Sequence, residues 1–302
     1  MRTTRRHWLT TAVSGSLALA RQNTGFFRYS ICSETFAGLS FRESCRAASR
    51  IGYTGIEVMP ANLGDDPGRL PPSARGAFRN EILDANLTFV GTHNLMAVPK
   101  GLHLTSSDAG LRRKSWDYFS RLIDLTADLG SPAVMVFGSG RQRAAANGVS
   151  PPEAVRMLTE GLAALVPVAV ARGTTILLEP LAPHLCNVVN QLDEAVQVVR
   201  EIASPAIQTM FDTHNTAGET KPGPELIAAY IAHIKHVHLN EMDGRYPGSG
   251  HYPFTPVMRA LRKAGYEGWM SVEVFELQPD GETVAHRSYR YLGELERKLG
   301  RE

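Results

Sequence analysis

The sequence predicts a single (β/α)8 barrel, and three observations carry that prediction. Eight short apolar, β-branched runs alternate with longer stretches of helical periodicity along one chain of 302 residues. No break in composition and no low-complexity linker divides the chain, and about 250 residues is an ordinary size for one barrel. The first run leads into Cys32-Ser33-Glu34-Thr35. A doubly wound open sheet, the nearest alternative, would normally place a Gly-rich phosphate loop there.

The strand runs are 27–32, 55–59, 87–93, 133–137, 175–179, 207–212, 234–239 and 269–275. Between them the helical pattern is clearest over 111–129, 152–172, 193–202 and 256–263. Gly52, Gly130, Gly173 and Gly265 follow helical runs, where a left-handed cap is expected. Residues 1–20 are expected to lie outside the fold, leaving 21–302 as the barrel domain. Arg2, Arg5 and Arg6 precede a mildly apolar run that is too short to span a membrane and ends in Ala18-Leu19-Ala20. The stretch Thr4-Arg5-Arg6-His7-Trp8-Leu9 resembles a twin-arginine export signal, which implies a periplasmic protein that folds before export. No Cys follows Ala20, so a lipid anchor is not expected.

A hydrophobic share of 43% and a charged share of 21% suit a globular protein with a real core. Loss of the leader would lower Lys and Arg from 32 to 29 against 30 acids, which argues against a nucleic-acid partner. Cys32, Cys45 and Cys186 are widely spaced and odd in number, so they are expected as buried small hydrophobes.

A parallel barrel carries its active site where the strands end. Strand five runs into Leu177-Leu178-Glu179, strand six into Phe211-Asp212, strand seven into Val237-His238, and strand eight into Ser271-Val272-Glu273. A lone polar residue at a strand end is more often a satisfied loop or cap residue than a ligand. Four of them on consecutive strands reverse that weighting. Three carboxylates at one rim repel one another, and one divalent cation would resolve the conflict. The donor set suits Mn²⁺ best, with Mg²⁺, Co²⁺ and Fe²⁺ close behind and Zn²⁺ less favoured. His236 shares a face with His238, so spacing alone leaves the imidazole ligand open.

Softer features surround this rim. Residues 137–143 combine glycines with Arg141 and Arg143 and read as a solvated loop, or as a cradle for a polyhydroxyl or anionic ligand. Asn187 and Asn190 suit sugar hydroxyls or helix capping. Residues 241–254 read as a loop over the rim, and Trp269, Tyr246 and Tyr252 as packing aromatics or ring-stacking platforms.

The runs Gly52-Tyr53-Thr54-Gly55-Ile56-Glu57, Leu178-Glu179-Pro180-Leu181, Phe211-Asp212-Thr213, His236-Val237-His238 and Pro247-Gly248-Ser249-Gly250 resemble the sugar phosphate isomerase/epimerase family of xylose isomerase-like barrels. The likeness covers nearly all of residues 26–299. Separations of 33, 26 and 35 residues between Glu179, Asp212, His238 and Glu273 are similar to those of the metal ligands in its ketose 3-epimerases. The resemblance therefore implies His238 over His236, and implies that Glu179 and Glu273 face each other across the substrate as catalytic groups. It also implies polar substrate contacts at Glu57 and His93, the ends of strands two and three. Leu185, Asn215 and Gly244 stand where those epimerases carry a substrate-binding Glu, His and Arg, while His184, His214 and Arg245 lie one residue away. These three are the implied substitutes.

The activity this implies is metal-dependent proton abstraction beside the carbonyl of a sugar or keto-sugar, giving isomerisation or epimerisation. Elimination from a 3-keto-glycoside, or hydration, on the same metal site is the alternative, favoured by export because sugar phosphates are cytosolic. A metal-dependent endonuclease and a non-catalytic sugar-binding protein are remoter readings: the first needs more ligands and more basic charge, the second has no use for two opposed glutamates. The family also implies a homodimer or homotetramer.

Overall fold

The structure, a computed structural model, describes residues 25–301. The leader assigned to residues 1–20 lies outside the described residues. Eight parallel strands close into a barrel in sequence order: β1 (Arg28–Cys32), β2 (Gly55–Val58), β3 (Thr88–Thr92), β4 (Ala133–Phe137), β5 (Thr174–Leu178), β6 (Ile207–Asp212), β7 (Ile234–Leu239) and β8 (Trp269–Val272). Helices α1 (Phe41–Ile51), α2 (Pro72–Asp84), α3 (Ala109–Leu129), α5 (Pro151–Arg172), α6 (Leu192–Ile202), α7 (Gly223–Tyr230), α8 (Phe254–Lys263) and α9 (Gly281–Leu299) form the outer layer, and α4 (Gly140–Arg143) is an extra turn after β4. The fold is the (β/α)8 barrel that the alternation predicts.

Helix starts follow their caps. α3 begins two residues before the periodic run because the Asp108 carboxylate accepts the N–H groups of Gly110 and Leu111. Ser150 caps α5 in the same way at Glu153. Gly173 and Gly265 take the left-handed conformation expected after a helix, with φ of 63° and 68°. Gly130 does not: its backbone is extended at φ 170°, and what it provides is room for Phe89, whose ring would lie 2.9 Å from a Cβ there. The three cysteines are free and buried, as expected.

Strand alternation divides the side chains into two cores. Residues facing outward from the barrel join the helices in one continuous cluster, including Ile31, Ile56, Ile176, Ile207 and Met270. Inward residues are split by chemistry. On the β4–β6 side the lumen is apolar, with Val136, Leu177 and Met210 packed on Val134. On the side of β7, β8, β1 and β2 it is polar, with Ser30 and Ser271 hydroxyls 2.6 Å apart beneath Glu57 and His236. α5 is long and apolar enough to cross a membrane by length and composition, yet it is one of the barrel's own outer helices, packed on α3 and β5.

The end of α9 fastens the start of β1. The buried Glu296 carboxylate accepts the Phe27 N–H at 2.8 Å and is also bonded by the Phe26 backbone. Burial pushes its pKa up, so the folded chain holds this proton at pH values where the unfolded chain has lost it. Stability therefore falls as pH rises between the unfolded and folded pKa values and levels off above them. Glu296→Gln, which keeps an acceptor, is expected to gain in Tm over the wild type above that window and to lose the gain near about pH 4. Melting curves from acid to neutral pH check this; a Tm difference independent of pH would refute it.

Candidate metal centre

The C-terminal ends of four neighbouring strands bring Glu179, Asp212, His238 and Glu273 together. One potential ligand atom from each lies within 4.8 Å of the others, and all four residues are buried. Asp212 and His238 are the last inward residues of β6 and β7, whereas Glu179 and Glu273 sit one residue beyond β5 and β8. Asp212 lies two residues beyond the lumen residue Met210 and so shares its inward face, and the β6–β7 register shifts between Thr209 and Phe211. The His238 Nδ1 lies 3.1 Å from a Glu273 oxygen and 3.9 Å from an Asp212 oxygen.

The electrostatics are those of a site short of positive charge. Burial, and then the charges of Asp212 and Glu273, push the Glu179 carboxyl well above its usual range. Burial and Glu273 raise Asp212 likewise. Burial alone would raise Glu273 too, but the imidazole of His238 beside it wins and lowers it. His238 is driven up by Glu57 and Glu273 against the effect of burial. Three crowded carboxylates with one imidazole form a hard, oxygen-rich donor set, and a divalent cation supplies the charge they lack. The residues fit such an ion.

His236 takes no part in the cluster. It lies one layer deeper, where its Nε2 meets Glu57 at 2.7 Å and the Ser271 hydroxyl at 3.0 Å. Glu57, expected at the rim as a substrate contact, is wholly buried beneath His238. Its oxygens lie 3.1 and 3.2 Å from the His238 Nε2, and burial, which would raise its pKa, is outweighed by the two histidines. That bond leaves Nδ1 of His238 as the nitrogen facing the carboxylates. A carboxylate on the far nitrogen of a ligating histidine fixes its tautomer and orientation.

The other expected contacts fall in three places. His93 is buried, with Nε2 2.7 Å from Glu34; that carboxylate raises its pKa to about 9 although burial opposes it. The His184 and His214 rings lie 6.0 Å apart at the mouth, with Phe275 5.2 Å beyond His214. Arg245 stands apart on the β7–α8 loop, half-exposed and paired with Asp243 at 2.7 Å. Trp269 opens β8 and so sits at the opposite end of the barrel, under the Arg28 guanidinium. Asn187 and Asn190 tie loops through Ala145, Leu181 and Cys186.

Three residues escaped the sequence reading. Arg143, at the end of a stretch read as a solvated loop, is wholly buried, and its guanidinium donates to the carbonyls of Phe137 at 3.3 Å and Glu179 at 2.6 Å. It pins the backbone of the first cluster residue. Gly138 leaves room for the Glu179 carboxylate, which a Cβ there would strike. Asn215 donates from Nδ2 to Glu179 and Asp212, each at 3.0 Å, and so spans two like charges. Its one sequence signal was a polar residue kept at a position where the resembling enzymes also carry one.

The profile of the xylose isomerase-like TIM barrel family matches residues 45–295. The chain belongs to that family. Among its relatives, the fructoselysine 3-epimerase of Shigella flexneri is 26% identical over 247 residues, covering 78% of this chain and 86% of that enzyme. Two solved structures share the fold. A D-psicose 3-epimerase with D-tagatose from Clostridium cellulolyticum H10 superposes with a TM-score of 0.76 at 16% identity, over 89% of this chain and 98% of the other. A 3-keto-D-glucoside 4-epimerase from E. coli gives 0.74 at 18% identity, over the same shares.

In this family member, Glu57 backs the cluster through the ring nitrogen of His238 that faces away from it. Glu57→Gln is expected to weaken Mn²⁺ binding by about 10–100-fold, measured by isothermal titration calorimetry. Wild-type affinity in that variant would remove Glu57 from the site.

Proposed function

We propose that the protein is a divalent-metal-dependent isomerase or epimerase acting on a sugar or keto-sugar by moving a proton beside its carbonyl. The buried cluster of Glu179, Asp212, His238 and Glu273 carries this reading. It is supported by relatives and structural neighbours named as sugar epimerases. Bound there, the cation polarises a substrate carbonyl and its neighbouring hydroxyl.

The chain's own residues do the rest. Glu179 and Glu273 come from β5 and β8 and reach the cluster from different sides. One removes the proton next to the carbonyl and the other returns one to the opposite face, which inverts that carbon; return to the neighbouring carbon isomerises instead. Asn215 and the Arg143 clamp keep Glu179 in place through its side chain and backbone. Asp212 and His238 would hold the cation together with the two glutamates, with Glu57 behind the imidazole. Elimination from a keto-glycoside would begin with the same proton removal, so the product distinguishes it. Manganese, a homodimer or homotetramer, and the substrate contacts of His93, His184, His214 and Arg245 belong to the same proposal.

The test is solvent exchange. Mn²⁺-loaded protein in D₂O, given a panel of ketoses and 3-keto-glucosides, is expected to place deuterium beside the carbonyl. In Glu273→Gln at saturating Mn²⁺ the rate should fall by about 10²–10⁴. No exchange with any of these sugars despite bound Mn²⁺ would sink the reading.

We also propose that residues 1–20 direct export through the twin-arginine route to the periplasm, on the strength of Arg5-Arg6, the apolar run and Ala18-Leu19-Ala20. Cell fractionation should find the mature chain in the periplasm, and replacement of Arg5 and Arg6 by lysine should retain the precursor inside. Unchanged export of that variant would refute the route.

A further inference from the structure

We propose that the cavity beside the reaction centre, between the loops after β6 and β7 and the start of α8, receives an uncharged aromatic group joined by a glycosidic bond to the sugar that reacts. This rests on the function proposed above and names the substrate class: an aryl keto-glycoside rather than a free ketose.

The cavity measures about 700 Å³, inside the range of about 300–1,000 Å³ typical of small-molecule sites. Its walls are largely apolar, built from Pro222, Pro224, Met242, Tyr252, Pro253 and Val257. It is linked to the cluster through His214, whose ring Nδ1 lies 3.3 Å from the carbonyl oxygen of Glu241, a lining residue, and whose backbone N–H donates to the Asp212 carboxylate at 2.7 Å. Thr216, which also lines it, directly follows Asn215, the residue that touches both Glu179 and Asp212. The Thr216 hydroxyl, which donates to the Thr213 carbonyl at 2.7 Å, has its oxygen 3.4 Å from the Met242 sulfur, and that methionine is 41% exposed.

The mouth has the same character. Phe275, two residues after Glu273, is 58% exposed and stands edge-on to the His214 ring. Its position is built: its N–H donates to the Gly244 carbonyl at 2.8 Å. Gly244 lies in the left-handed region at φ 79°, where a Cβ would come within 2.6 Å of the Phe275 ring. Any other residue at 244 would be strained and would displace the ring. Leu185, which follows His184 in the loop after β5, is 41% exposed as well. Large exposed apolar groups gathered around a polar centre mark a ligand surface.

Lys221 and His251 are exposed among the lining residues, Lys221 acting on the Glu219 carboxylate, while the charges of the loop after β7 are engaged within it. Arg245 is paired with Asp243, and the Glu241 carboxylate accepts the N–H groups of Gly248 and Tyr252. With Arg245 held in that way, the apolar walls favour a neutral ring over a phosphate. The concave shape favours a small group over a flat protein surface.

Binding of two non-reacting probes separates this subsite from the chemistry. Calorimetry on the Mn²⁺-loaded protein is expected to show phenyl β-D-glucoside binding at least about tenfold more tightly than methyl β-D-glucoside. Met242→Asn and Met242→Trp, which make the wall polar or fill its mouth, should bring that ratio close to one, with Mn²⁺ affinity and Tm showing that each variant is folded. Equal affinities in the wild type would overturn the proposal, as would a ratio that survives both substitutions. So would a dimer that Met242→Asn dissociates while the ratio stays unchanged, because that result gives the patch to a second copy of the chain. A high phenyl ratio in a protein that exchanges no deuterium would leave the subsite standing and fail only the proton-abstraction reading.

Discussion

Three carboxylates cannot share one dry end of a barrel unless something supplies positive charge, and the arrangement around Glu179, Asp212 and Glu273 answers that demand at several levels. Nearest is His238, which the flanking carboxylates hold towards its protonated form. Behind it the Glu57 carboxylate sits between two histidines, which keeps it ionised in a place where burial alone would neutralise it. Asn215 offers an amide to two of the acids, Glu179 and Asp212, and Arg143 holds the backbone carbonyl of Glu179 as well. The contacts of Glu57, His238 and Arg143 with these partners span strands or loops distant in sequence. The cluster thus depends on barrel closure, since β8 must return to β1 before Ser30, Ser271, His236 and Glu57 can meet.

That dependence explains the two halves of the lumen. A barrel interior is ordinarily filled by layers of branched apolar side chains, and the β4–β6 half obeys that rule with Val136, Leu177 and Met210. The opposite half carries hydroxyls, imidazoles and a carboxylate instead. Buried polar groups are tolerable only when each finds a partner, and here they find one another: Ser30 with Ser271, Ser271 with His236, His236 with Glu57, and Glu57 with His238. The chain of bonds ends at the ring that faces the cluster. Such a network orients its last member more firmly than packing alone could, because rotating the ring would cost the buried Glu57 carboxylate one of its two histidine partners.

The fold and the three cluster carboxylates were legible in the sequence because they follow from strand periodicity, which is local and needs no knowledge of what lies opposite. Periodicity left His238 level with His236, and only the family resemblance implied the choice between them. Leu177-Leu178-Glu179 announces an acid at a strand end wherever the neighbouring strands happen to be. Glu57 was placed at the rim by the same logic, but β2 stops at Val58 and the register shifts at Glu57 against β3, so its side chain belongs to the layer below. Arg143 was unreadable because its partners are backbone carbonyls of Phe137, Glu179 and Val189, and carbonyls leave no mark in a sequence. Trp269 misled in the opposite direction. An aromatic in an end strand suggests ring stacking, yet only the direction of β8 decides which end of the barrel it occupies. Gly130 shows the same limit on a smaller scale, since a helix-terminal glycine reads alike whether it supplies a left-handed turn or clearance for a neighbouring ring.

The division between what is shared and what is particular follows from these contacts. Residues facing the cluster are bound by charge and by one another, so changing any of them disturbs the rest. Residues on the loops beyond it, such as Met242, Phe275 and Leu185, are exposed and meet few such constraints. Loops can therefore change what the barrel admits while the strands keep what it does to the admitted molecule. Gly244 is where the two regimes meet. Its backbone, strained for any other residue, holds an exposed phenylalanine two positions beyond Glu273, so the geometry of the β7–α8 loop is tied to the end of β8. A substitution at 244 would act on which molecule reaches the cluster before it acted on the cluster itself, because Phe275 moves first and the β7–β8 pairing that carries His238 and Glu273 lies behind it.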